Sequence, residues 1–215
     1  MRELIVQFDL LYPQYKFLPF SHSCCIDEIN NRGTDKFQKL QIDHVQGYFL
    51  DSSFLKETTP FYQKAEAHQA LRKDCDGILF MEKGNTIQIL LCELKSKFAI
   101  GEINKAMHQL VGSYMKLQAQ LSILKSFRDK TIEIKGLIAS FSPETEVLSI
   151  IQKRKDIGDI ENEFCYALVT KKEYTLNHAE SHRLYHPLAV PEFKIHYMGV
   201  PEHRQTFAVD GRLFI

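Results

Sequence analysis

The stretch from Asp74 to Lys95 constrains the fold more than any other part of the chain. Two apolar segments, Ile78 to Met81 and Ile87 to Leu91, flank Gly84-Asn85. Gly followed by Asn suits a two-residue type II′ turn, whose first position needs positive φ, so the stretch predicts a β-hairpin. The turn sets the register. With Lys83 opposite Thr86, Phe80 faces Ile89, Ile78 faces Leu91 and Asp76 faces Glu93. Directly opposite side chains lie about 5 Å apart at Cβ, and Lys95, two residues beyond Glu93, points to the same face.

Two carboxylates and an ammonium therefore converge at the open end of the hairpin. Like charges held together are unfavourable unless a cation sits between them, and oxygen ligands suit a hard ion such as Mg²⁺. Water on such an ion becomes a usable nucleophile, and a nearby Lys stabilises charge developing on a phosphoryl group. The competing reading is that Asp76 and Glu93 are solvated strand ends and Lys95 merely pairs with Glu93. Asp74, on Asp76's face, replaces it as ligand if the register slips by two.

Asp76, followed by Glu93-Leu94-Lys95 at the end of an apolar strand, resembles the PD-(D/E)xK nucleases, the restriction-endonuclease-like superfamily. Cys75 stands where the name-giving Pro would. The resemblance spans about residues 58–141 and implies Mg²⁺-dependent phosphodiester hydrolysis, with Mn²⁺ as a substitute. It makes Asp76 and Glu93 metal ligands and Lys95 the catalytic lysine. It also implies a further carboxylate on the preceding helix, for which Glu66 is the candidate and His68 a weaker neighbour, and a polar residue on the following helix, for which Gln109 is the candidate. The implied substrate is DNA rather than RNA, and the implied role is prokaryotic restriction or defence. The alternative is a non-catalytic scaffold of the same fold that binds nucleic acid or a protein partner.

Lys plus Arg balance Asp plus Glu at 27 each, so no global positive field attracts nucleic acid and binding must use local patches. Between Glu93 and Lys130 there are seven Lys or Arg against three acids. Lys97, Lys105 and Lys116 are the candidate phosphate contacts. The five cysteines, 24, 25, 75, 92 and 165, are odd in number and read as small packing residues rather than a disulfide framework. No apolar run approaches membrane-spanning length and the first residues lack a signal-peptide core, so a cytoplasmic protein without a membrane partner is expected. A homodimer or a protein partner stays open.

The rest of the chain reads as an α/β fold: a restriction-endonuclease-like core with a central mixed β-sheet and helices on both faces. Residues 58–175 form this core, 1–57 an N-terminal appendage and 176–215 a C-terminal β-rich appendage. Leu4 to Leu11 fits either a strand or a short helix, Pro13 and Pro19 break the segment after it, and Val45 to Leu50 is a short strand. Thr59-Pro60 opens a helix through about Lys73. Ile103, Met107, Leu110, Tyr114, Leu117, Leu121 and Leu124 recur at steps of four and three, which predicts a helix from about Glu102 to Lys125. Ile132 to Phe141 is then a strand parallel to the hairpin's second strand, joined by a right-handed crossover. Ser142-Pro143 opens another helix, Phe164 to Thr170 reads as a strand, and Phe193 to Met198 and Thr206 to Val209 as further strands. His22-Ser23-Cys24-Cys25 and the spaced His178, His182 and His186 are weak zinc candidates, since neither has a complete ligand set at zinc-site spacing.

Overall fold

A computed structural model describes residues 1–28, 39–66, 69–177, 192–201 and 204–214, together with Ala179, Tyr185, Leu188 and Val190. His68, His178, His182 and His186 lie outside the described residues.

The hairpin forms with the expected register. Strands β3 (Gly77–Lys83) and β4 (Thr86–Lys95) pair antiparallel with Lys83 opposite Thr86, Phe80 opposite Ile89 and Ile78 opposite Leu91. Gly84 has φ +60° while Asn85 stays at negative φ, the type II′ pattern. Helix α3 (Ile100–Leu121) makes the crossover and buries Ile103, Met107, Leu110, Leu117 and Leu121. β5 (Thr131–Phe141) runs parallel beside β4 from Thr86–Thr131 to Lys95–Ser140. α3 stops at Leu121, short of the expected Lys125, and a separate turn of helix, α4, spans Lys125–Arg128.

The remaining elements are α1 (Arg2–Leu11), β1 (Phe17–Asp27), β2 (Lys39–Leu50), α2 (Ser53–Thr58), α5 (Thr145–Asp156), α6 (Ile160–Lys171), β6 (Glu173–Leu176), β7 (Phe193–Val200) and β8 (Thr206–Asp210). They complete a mixed, open sheet of order β1-β2-β3-β4-β5-β7-β6, with β8 parallel to β2. The segments expected as appendages thus contribute to the same sheet: β1 and β2 extend it beyond β3, and β7 lies directly against β5. Pro19 sits inside β1 rather than ending it, because β1 is an edge strand, where a missing N–H goes unmissed.

The general α/β class holds, but the layers differ from expectation. Every hydrophobic residue buried on a described helix belongs to one core cluster, built on Ile78, Phe80, Ile89, Leu91, Ile138 and Ile195 of the sheet. The opposite face, with Leu79, Leu90, Cys92, Leu94 and Leu137, shares a second cluster with Leu40, Ile42 and Val45 of β2, Ile26 of β1 and the tail residue Phe214. Among the described residues, helices therefore cover one face, and β-structure with the tail covers the other. The apolar character of both faces of β4 requires two covering layers but does not specify what they are made of.

Two further expectations change. The described residues between 58 and 73 form no continuous helix: 3₁₀ turns at Pro60–Lys64 and Ala70–Arg72 are separated by extended backbone at Ala65. The second turn lies with its backbone against α3, where a Cβ on Gly112 would stand 2.0 Å from the Ala70 carbonyl oxygen. The run Phe164 to Thr170 is helical, within α6. Asp159 caps that helix by accepting the Asn162 N–H at 3.2 Å, and a short buried apolar run does not by itself distinguish helix from strand.

Candidate active site

The site lies on the helix-covered face, at the C-terminal end of β4, where open α/β sheets place their ligands. Glu93 and Lys95 share the parity of Ile89 and Leu91 and so turn towards α3. The antiparallel ladder ends at Gly77–Cys92, and Asp76 extends it. Its N–H donates to the Cys92 carbonyl at 2.9 Å and its Oδ2 accepts the Leu94 N–H at 2.8 Å. The carboxylate thus occupies the place of a backbone carbonyl in the ladder, which fixes one oxygen and leaves the other for a ligand.

Lys95 Nζ donates to Glu93 Oε1 at 2.6 Å and to Gln109 Oε1 at 2.8 Å. The Gln109 amide donates in turn to the Asp74 carbonyl at 3.0 Å, which orients its oxygen towards the lysine. Asp76, Glu93, Lys95 and Gln109 line one polar cavity of about 310 Å³. Lys97 and Lys105 line it from exposed positions, and Lys105 lies 4.0 Å from Glu102.

Two expected residues are elsewhere. Glu66 is exposed and is not among the described residues lining the cavity. Lys116 has no exposed surface and pairs with Asp74. Besides Asp76 and Glu93 the cavity holds two other acids in the place of Glu66: Glu28, just past the end of β1, and Glu102, in the first turn of α3. Nothing in the local sequence marks Glu28, because it reaches the site only through pairing of the β1–β2 strands with β3. Gly77 makes room for this approach: a Cβ there would meet the Ile26 side chain at 3.0 Å.

The charges are held against their preference. Burial pushes the Asp76 carboxyl up to about 6, although the Leu94 N–H and Lys95 oppose the shift and Glu28 adds to it. Burial, then the neighbouring Asp76 charge, raises Glu93 well above the carboxylate range, and Lys95 offsets only part of this. Glu93 is 1% exposed, and its Oε2 has no hydrogen-bond partner among the described residues.

These features fit a hard divalent cation. Among the described residues no three His, Cys, Asp or Glu side chains form a ready-made metal cage, but Mg²⁺ commonly takes one or two carboxylates and keeps several waters. Asp76 and Glu93 meet that requirement, and the buried Glu93 Oε2 is the kind of atom a cation would satisfy. His22, Cys24 and Cys25 lie in β1, Cys24 buried and Cys25 exposed, in no such cluster. No described helix is long and apolar enough to cross a membrane. Comparison with known proteins finds no matching family model, no matching curated protein and no matching solved structure.

Proposed function

We propose that this chain is a Mg²⁺-dependent nuclease acting on DNA, with β3, β4, α3 and β5 as its restriction-endonuclease-like core. The reading rests on one observation above others: Asp76, Glu93 and Lys95 converge in a polar cavity in which a buried Glu93 oxygen lacks a partner among the described residues.

Asp76 and Glu93 would hold the ion, with Glu28 beside them. Bound Mg²⁺ supplies Lewis-acid stabilisation of phosphoryl charge and lowers the pKa of water, and Mn²⁺ can replace it. Lys95 has two of its three N–H donors committed, to Glu93 and Gln109. The third has no acceptor among the described residues and would orient the attacking water or meet charge on a non-bridging phosphate oxygen. Gln109 is a positioning residue that keeps the ammonium from rotating away. Hydrolysis then joins water oxygen to phosphorus, breaks one P–O ester bond, and leaves a phosphate monoester and a hydroxyl. Lys97 and Lys105 are placed to contact phosphates on either side of the reacting one.

Incubation of the purified protein with plasmid, single-stranded DNA and RNA, each with Mg²⁺, Mn²⁺ or chelator, tests the proposal. Metal-dependent cutting of DNA is expected. Binding without cutting under every condition would favour the non-catalytic scaffold instead.

A further inference from the structure

α3 presents a second buried face that has no apolar explanation. On this face it buries Gly112, Ser113 and Lys116, and all three meet the segment that leads into Asp76. Gly112 admits the Ala70 and Lys73 carbonyls, Ser113 Oγ accepts the Cys75 N–H at 2.7 Å, and Lys116 pairs with the Asp74 carboxylate. One helical turn earlier, Gln109 donates to the Asp74 carbonyl. Residues 74 and 75 are therefore held by side chain, carbonyl and amide to one helix face, immediately before the residue that completes the β4 ladder.

We propose that Ser113 and Lys116 are positioning residues for Asp76: they fix Asp74 and Cys75 so that the Asp76 carboxylate stays on the Leu94 N–H with its second oxygen turned into the cavity. A buried lysine at this position does no work as a phosphate contact, and an apolar residue would fill the space without fixing the chain. Two charged or polar anchors on consecutive residues remove the freedom by which Asp76 would slide along β4. The consequence for catalysis rests on the nuclease reading; the placement of Asp76 does not.

The test uses the full chain with Asp74→Asn and Ser113→Ala, each of which keeps side-chain volume nearly unchanged. The Leu94 amide reports the Asp76 contact directly, and the Leu90 amide, in the middle of β4, reports the strand as a whole. Hydrogen exchange at Leu94 should accelerate relative to Leu90 in both variants. Mn²⁺ affinity should fall by about tenfold, the usual effect of removing a group that orients a metal ligand, and kcat for plasmid cleavage should fall at saturating Mn²⁺ with KM for DNA unchanged. An unchanged Leu94-to-Leu90 ratio overturns the proposal, because the anchors then serve only general stability, and so does failure of both variants to fold. If one variant fails to fold, the other decides. A wild-type protein that neither binds Mn²⁺ nor cuts DNA removes the nuclease reading, while the exchange ratio still judges the anchoring of Asp76.

Discussion

Lys95 Nζ stands 2.6 Å from Glu93 Oε1, two residues away on the same strand and face, and both groups are nearly excluded from solvent. Ion pairs buried this way gain little net stability, because desolvation offsets the attraction. The Asp76 charge makes this pair costlier still, since it raises the Glu93 carboxyl further. Such an arrangement is expected where local stability is given up for chemistry.

Asp76→Asn should therefore stabilise the metal-free fold while removing a ligand charge. The Asp76 carboxyl is pushed up to about 6 in the folded chain, above the unfolded value of about 3.9. The folded state holds its proton more tightly, so the cost of ionisation is fully present above pH 6 and disappears as pH falls towards 4. In chelator the variant should exceed wild type by roughly 3 kcal/mol at pH 8, with the advantage shrinking through that window. Urea unfolding across pH measures it. Equal stability at pH 8, or an advantage that grows on acidification, would contradict this account of the site.

The basic residues divide into two classes. Lys97 and Lys105 are exposed at the cavity. Lys97→Gln with Lys105→Gln should flatten the salt dependence of DNA binding by about 0.9 in log–log slope for each phosphate left without its lysine. Lys116→Gln should leave that slope alone. It should instead destabilise the fold by roughly 1–3 kcal/mol through loss of the charged hydrogen bond to the partly exposed Asp74. A changed slope for Lys116→Gln, at full occupancy of the folded state, would return Lys116 to the binding surface.

Glu28 and Glu66 make a direct contrast. Glu28 lines the cavity and its charge raises both Asp76 and Glu93, so Glu28→Gln should weaken Mg²⁺ binding measured by calorimetry, whereas Glu66→Gln should leave it unchanged. The reverse order would transfer the third acid back to Glu66.

The hairpin, its register and the β4–α3–β5 crossover are legible in the sequence, because Gly84 fixes the turn and the strand and helix periods are set by residues close in the chain. The convergence of Asp76, Glu93 and Lys95 is legible for the same reason, whereas Gln109 follows only from the family resemblance, since periodicity turns it away from the apolar stripe of α3. Lys116 is not. It falls off the apolar stripe of α3, where periodicity predicts solvent, yet backbone from residues 70–75 covers that face and leaves no hydrophobic signal of doing so. Glu28 is hidden because only tertiary pairing brings it near β3. The helix at Phe164 escapes a sequence reading because its cap, Asp159, lies among several acids that look alike in sequence.

The division of labour between Lys95 and its carboxylates bears most directly on the proposed chemistry. Lys95→Ala leaves Asp76 and Glu93 in place and removes a cation that competes for Glu93, so Mg²⁺ binding by calorimetry should be retained or tightened. Single-turnover cleavage of plasmid DNA by the same protein should fall by about two to three orders of magnitude, as expected when a group that meets transition-state charge is removed. Metal binding with cleavage as fast as wild type would reduce Lys95 to an ion-pair partner of Glu93 and contradict the nuclease assignment.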